Sequence, residues 1–185
     1  MHRVSSFIMQ LFGWKVDILF PTQTLDKFII IVLPHTSNWD FPIGVLTRSM
    51  LRRRVVFLAK SGLFRFPFGF FFRWLGGYPV ERGRSTNFVD SVVTIFNKKE
   101  KFAVCISPEG TRKKVEKLKT GFYYIAKGAN IPIIFCKFDW GNKHVEFRTP
   151  FYTTDDQAAD FAVLEDYFRG VAGKNPEAGY LYAKK

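Results

Sequence analysis

Residues Phe28 to Leu33, FIIIVL, are six consecutive apolar side chains, four of them β-branched, closed by Pro34. A run without a polar face suits a strand covered on both sides of a sheet, and Pro34 ends the pattern. Similar runs recur at Val55 to Leu58, Phe102 to Ile106 (FAVCI) and Ile131 to Phe138 (IPIIFCKF), with shorter candidates at Tyr78 to Glu81 and Val145 to Arg148. Helical patterns fall between them: Phe41 to Leu51 with Asp40 as N-cap and Pro42 in the first turn, then Ser85 to Asn97, Thr120 to Lys127 and Asp155 to Arg169. Apolar strands alternating with helices predict an α/β fold: a mixed, mostly parallel sheet flanked by helices, with ligands gathered at the carboxyl ends of its strands.

The 185 residues, 47% of them apolar, fit one domain over 1–185, with no internal repeat, low-complexity tract or linker. The net charge is +12, and it is uneven: residues 1–150 carry 24 basic and 10 acidic side chains, residues 151–185 carry 4 and 6. A positive body predicts acidic partners. Val4, Phe7, Ile8, Leu11 and Phe12 recur at helical spacing near Arg3, Trp14 and Lys15. They describe a short N-terminal amphipathic helix that either lies in a membrane interface, with residues 1–20 as the anchor, or packs on the core. No run reaches the roughly 20 apolar residues of a spanning helix, and no secretory pattern stands at the N-terminus. The expected location is therefore the cytoplasm, as a peripheral protein on the inner face of the cell membrane. Cys105 and Cys136 sit in apolar runs and read as buried thiols, not as a disulfide or zinc framework.

Chemistry concentrates in four segments. In PHTSNWDF, His35 and Asp40 are five residues apart. Extended chain would separate them by roughly 17 Å, and a straight helix would turn them about 500° apart. Only a tight turn brings them together, and Ser37 and Asn38 favour one. A carboxylate on one imidazole nitrogen leaves the other free to accept a hydroxyl proton, which is a general base; the plain alternative is a capping Asp beside a space-filling His. Ile106 to Arg112, ISPEGTR, follows a strand directly, so Gly110, Thr111 and Arg112 could hold an anion, or form a solvated turn with a Glu109–Arg112 pair. Arg82 in GGYPVERGR and Lys60 after FLA add cations that face either the site or water. Residues 62–77, GLFRFPFGFFFRWLGG, combine Phe and Trp with Arg65 and Arg73, which suits an acyl slot, a headgroup boundary or stacked nucleic acid. No G-x-S-x-G elbow supplies a nucleophile, and the three His residues lack metal-ligand spacing, so no metal is expected.

The four segments, in this order, resemble the glycerophospholipid acyltransferase family, of the 1-acylglycerol-3-phosphate acyltransferase type, over residues 28–150. HTSNWD is similar to its His-x4-Asp motif, GGYPVER to its Gly-to-Arg block, SPEGTR to its Pro-Glu-Gly-Thr-Arg block and NIPIIF to its Val/Ile-Pro block. Pro34 stands where relatives often carry Asn, and Phe135 where a second Pro is common. The resemblance implies His35 as base and Asp40 as its orienting partner. It places Glu109, Gly110, Thr111 and Arg112 on the acceptor phosphate, with Arg82 assisting and Lys60 as a further phosphate contact. It also implies acyl transfer from acyl-CoA or acyl-carrier protein to a lysophospholipid hydroxyl, with no cofactor beyond that co-substrate. Membrane lipids and an acidic carrier are the implied partners, and nucleic acid is not. The competing reading is a non-enzymatic peripheral protein that binds anionic membrane through the same basic and aromatic surface; a nucleic-acid binder lacks a recognition consensus.

Overall fold

The computed structural model describes residues 2–80 and 85–180. Among them the chain runs α1 (His2–Leu11), β1 (Lys15–Ile18), β2 (Lys27–Leu33), α2 (Asp40–Met50), β3 (Val55–Lys60), α3 (Gly69–Trp74), β4 (Gly77–Val80) and α4 (Ser85–Lys98). It continues through β5 (Phe102–Ile106), α5 (Gly121–Ala129), β6 (Ile133–Asp139), β7 (His144–Phe147) and α6 (Gln157–Phe168). The strands form one sheet in the order β1-β7-β6-β2-β5-β3-β4. Every pairing is parallel except β6 with β7. The α/β class and mostly parallel sheet expected from the apolar runs are thus what the chain adopts.

Strand β2 lies at the centre, and from Phe28 to Leu33 every residue is buried. Successive side chains point to opposite faces. Ile29, Ile31 and Leu33 join Val92 and Phe96 of α4, Ile125 of α5 and Phe168 of α6 in one core. Phe28, Ile30 and Val32 join Met9 of α1 and Ile43 of α2 in the other. A buried Ile of this kind is worth about 2–5 kcal/mol against Ala, which is why FIIIVL dictates the architecture.

Two expectations change in detail. Asp40 is the first residue of α2 and not its N-cap. The N-cap position is Trp39, which makes no side-chain cap bond; in the turn leading into it Ser37 Oγ accepts from the Trp39 amide at 3.2 Å, and Asp40 Oδ2 accepts from the Ser37 amide at 2.9 Å. The two bonds are reciprocal across Ser-x-x-Asp, in the manner of a capping box. The α1 helix, read as either anchor or core packing, packs on the core along one face and leaves an apolar face exposed. Ser5 and Met9 are buried, with Ser49 Oγ of α2 donating to Ser5 Oγ at 2.5 Å, while Val4, Phe7, Leu11 and Phe12 remain exposed. Strand β1 (KVDI) carries no distinctive run and exists by pairing with β7 across the sequence.

Candidate active site

The register explains why distant residues meet. Ile31 of β2 pairs with Ile106 of β5, and Leu33 of β2 pairs with Lys137 of β6. The loops leaving β5, β2 and β6 therefore emerge side by side at the carboxyl edge of the sheet. Those loops carry Glu109, His35 with Asp40, and Trp140.

The Ser37–Asp40 pair turns the chain sharply after Pro34, so His35 and Asp40 come together. His35 Nδ1 lies 3.0 Å from Asp40 Oδ2, with the Asp40 side chain 1% exposed and the His35 ring 23% exposed. The carboxylate is fully occupied. Oδ2 accepts from the Ser37 amide and faces His35 Nδ1, and Oδ1 accepts from Trp140 Nε1–H at 2.7 Å. An ionised carboxylate only accepts, so Nδ1 carries the proton of the neutral imidazole and Nε2 keeps its lone pair.

Glu109 stands on the loop that leaves β5. Expected on a substrate phosphate, it is 2% exposed and accepts from the His35 backbone amide at 2.6 Å through Oε2. This bond ties the loop after β5 to the His35 backbone. Burial pushes its carboxyl above the usual range, against the pull of the His35 N–H and of a positive charge on His35.

Gly110, Thr111 and Arg112 follow on the same loop and are exposed. Gly110 has φ +65, and a Cβ there would stand 2.5 Å from Lys119 Nζ, so glycine allows Lys119 to lie against the loop. The Lys119 amide also donates to Pro108 O at 2.8 Å, folding this lysine back onto the turn. The expected Arg82 lies outside the described residues; Lys60 ends β3, and its side chain is likewise outside them. Cys105 and Cys136 are poor nucleophiles, since burial pushes the first thiol up to about 12 and the second well above its ordinary value. No cluster of three or more His, Cys, Asp or Glu that could hold a metal occurs among the described residues. A hollow of about 370 Å³ lined by Arg52, Arg53, Arg54, Lys99 and Lys101 opens at the amino ends of β3 and β5, the edge opposite His35, and is separate from this site.

A family model described as Acyltransferase matches residues 20–138 of the chain, a span holding His35, Asp40 and the Glu109–Arg112 loop. The chain belongs to the acyltransferase family. A comparison with curated protein sequences finds no match. Among solved structures, this acyltransferase is similar to the crystal structure of the 1-acyl-sn-glycerophosphate (LPA) acyltransferase PlsC from Thermotoga maritima. The TM-score is 0.59 at 19% identity, over 92% of this chain and 76% of that one. At that identity the likeness speaks for the fold of this acyltransferase.

Proposed function

We propose that this acyltransferase moves a fatty acyl group from acyl-CoA or acyl-carrier protein to a hydroxyl of a lysophospholipid, with a 1-acylglycerol-3-phosphate-like acceptor. The observation that carries the reading is the His35–Asp40 contact at 3.0 Å, on an imidazole that stays partly open at the ligand edge of the sheet. His35 Nε2 takes the acceptor's hydroxyl proton as its oxygen bonds to the thioester carbonyl carbon. The tetrahedral adduct then collapses, the C–S bond breaks, and the departing thiolate receives the proton from the imidazolium. No enzyme nucleophile enters this route. Gly110, Thr111 and Arg112, with Arg82 and Lys60, hold the acceptor phosphate; Lys119 supports the same loop. Thr111 and Arg112 bring hydroxyl and guanidinium donors, which suit phosphate oxygens.

Membrane seating supports a lipid acceptor. Phe66 is 97% exposed, Phe70 74% and Trp74 76%, in or just before α3, and Arg48 of α2 donates to Leu75 O at 2.6 Å, tying the end of α3 to α2. With the outward Phe7 and Leu11 of α1, which packs on the same α2, and Phe12 just after it, these exposed rings and apolar groups suit a headgroup boundary. No helix among the described residues is long and apolar enough to cross a membrane. A peripheral position on the inner face of the cell membrane is the reading this exposed surface supports. Incubating it with radiolabelled acyl-CoA or acyl-carrier protein and a panel of lysolipids tests the reading. Labelled diacyl product is expected; tight vesicle binding with no product from any donor would favour a non-enzymatic membrane protein instead.

A further inference from the structure

Outside the span of the family match, Trp140 and residues 172–175 pack against the His35–Asp40 turn. Trp140 leaves the end of β6, and its indole N–H donates to Asp40 Oδ1 at 2.7 Å, across 100 positions of sequence. Its backbone amide donates to Ala172 O at 2.8 Å. Its ring meets Trp14 edge-on at 4.9 Å, and Lys174 Nζ lies 4.9 Å from its centroid and 4.5 Å from that of Trp39. The same segment grips the other side of the turn. The Asn175 amide donates to Thr36 Oγ1 at 3.1 Å, and Asn175 Nδ2 donates to Thr36 O at 2.9 Å. Gly173 packs so closely that a Cβ would stand 2.5 Å from Thr36 Oγ1.

We infer that Trp140, braced by the strap 172–175, is a positioning residue of the acyl-transfer site: its indole fixes the plane of the Asp40 carboxylate so that the other oxygen faces His35 Nδ1. The chemistry favours an indole. It only donates and does not titrate, so it holds Oδ1 as an acceptor at every pH. Without it, the carboxylate is free to rotate about its Cβ–Cγ bond and the imidazole loses its fixed partner. This inference rests on the acyl-transfer reading given above.

The test is Trp140→Phe, which keeps an aromatic ring against Trp14 and Lys174 and removes the N–H. Losing a hydrogen bond to a charged group predicts a fall in kcat of about tenfold or more, with KM for the acceptor unchanged. In an Asp40→Asn background the same substitution should cost nothing further, because the oxygen it served is no longer a carboxylate. Full kcat in Trp140→Phe, or an equal loss in both backgrounds, would overturn the inference, the second showing a role in packing alone. Should Trp140→Phe fail to fold, Asn175→Ala loosens the strap from an exposed position; a kcat lowered about threefold at constant KM supports the inference, and an unchanged kcat overturns it. His35→Ala separates the two levels. If it abolishes transfer while Trp140→Phe is fully active, the positioning role alone fails; if His35→Ala stays active, the base assignment fails first.

Discussion

Replacing Asp40 by Asn exposes what the site depends on. The carboxylate faces three donors, from Ser37 N at 2.9 Å, Trp140 Nε1 at 2.7 Å and His35 Nδ1 at 3.0 Å, and a side chain 1% exposed has no water to fall back on. An amide has one oxygen and one NH2. If the oxygen faces Ser37 and His35, the NH2 opposes the Trp140 N–H. If the oxygen faces Trp140, the NH2 opposes the Ser37 amide, and His35 must take its proton on Nε2, the tautomer that cannot act as base. Either way at least one buried donor is unmet, at about 1–3 kcal/mol. For a chain of this size that lowers Tm by about 2–12 °C. If the imidazole adopts the wrong tautomer, transfer falls by about 10²- to 10⁴-fold, the ordinary worth of a general base. Differential scanning calorimetry and thioester-dependent lysolipid acylation read the two effects separately. A variant with wild-type Tm and more than a tenth of wild-type turnover would refute the reasoning.

Three further outcomes follow from the same geometry. Arg112→Ala removes an exposed guanidinium from the loop and should raise KM for a phosphate-bearing acceptor by about 10- to 100-fold with kcat little changed; an unaltered KM would remove Arg112 from the clamp. Because burial raises the Glu109 carboxyl in the folded state, the unfolded chain loses this proton first. Its contribution to stability is full below the ordinary carboxylate value and declines as pH rises through the raised one. Glu109→Gln keeps an acceptor for the His35 amide, so its Tm should fall less than wild type as pH is raised from about 4 to 7; parallel curves would contradict the burial argument. Phe7→Ser combined with Leu11→Ser should weaken binding to anionic vesicles by at least about tenfold, from the loss of two exposed apolar groups. Undiminished partitioning would show that α1 does not meet lipid.

The parts legible in the sequence are those governed by local pattern. FIIIVL and FAVCI read as buried strands because a strand covered on both faces needs no polar alternation, and both are strands here. The His35–Asp40 meeting was legible because only a turn can close that spacing, and Ser-x-x-Asp supplies the turn's own hydrogen bonds. Strand β1 was not legible, since four residues of KVDI gain their structure from β7, more than 120 positions away. The contact of Glu109 with His35 was not legible for a related reason: the two residues are 74 positions apart and meet only through the β2–β5 register. Trp140 and Asn175 carried no signal, because both act through partners 100 or more residues away.

The most direct test of the central claim is the rate of labelled acyl transfer by His35→Ala against wild type, under saturating donor and lysolipid, with folding checked by calorimetry. A folded variant with turnover reduced by at least about 10²-fold is the expected result. A folded variant that transfers acyl groups at the wild-type rate would mean that the imidazole beside Asp40 is not the base.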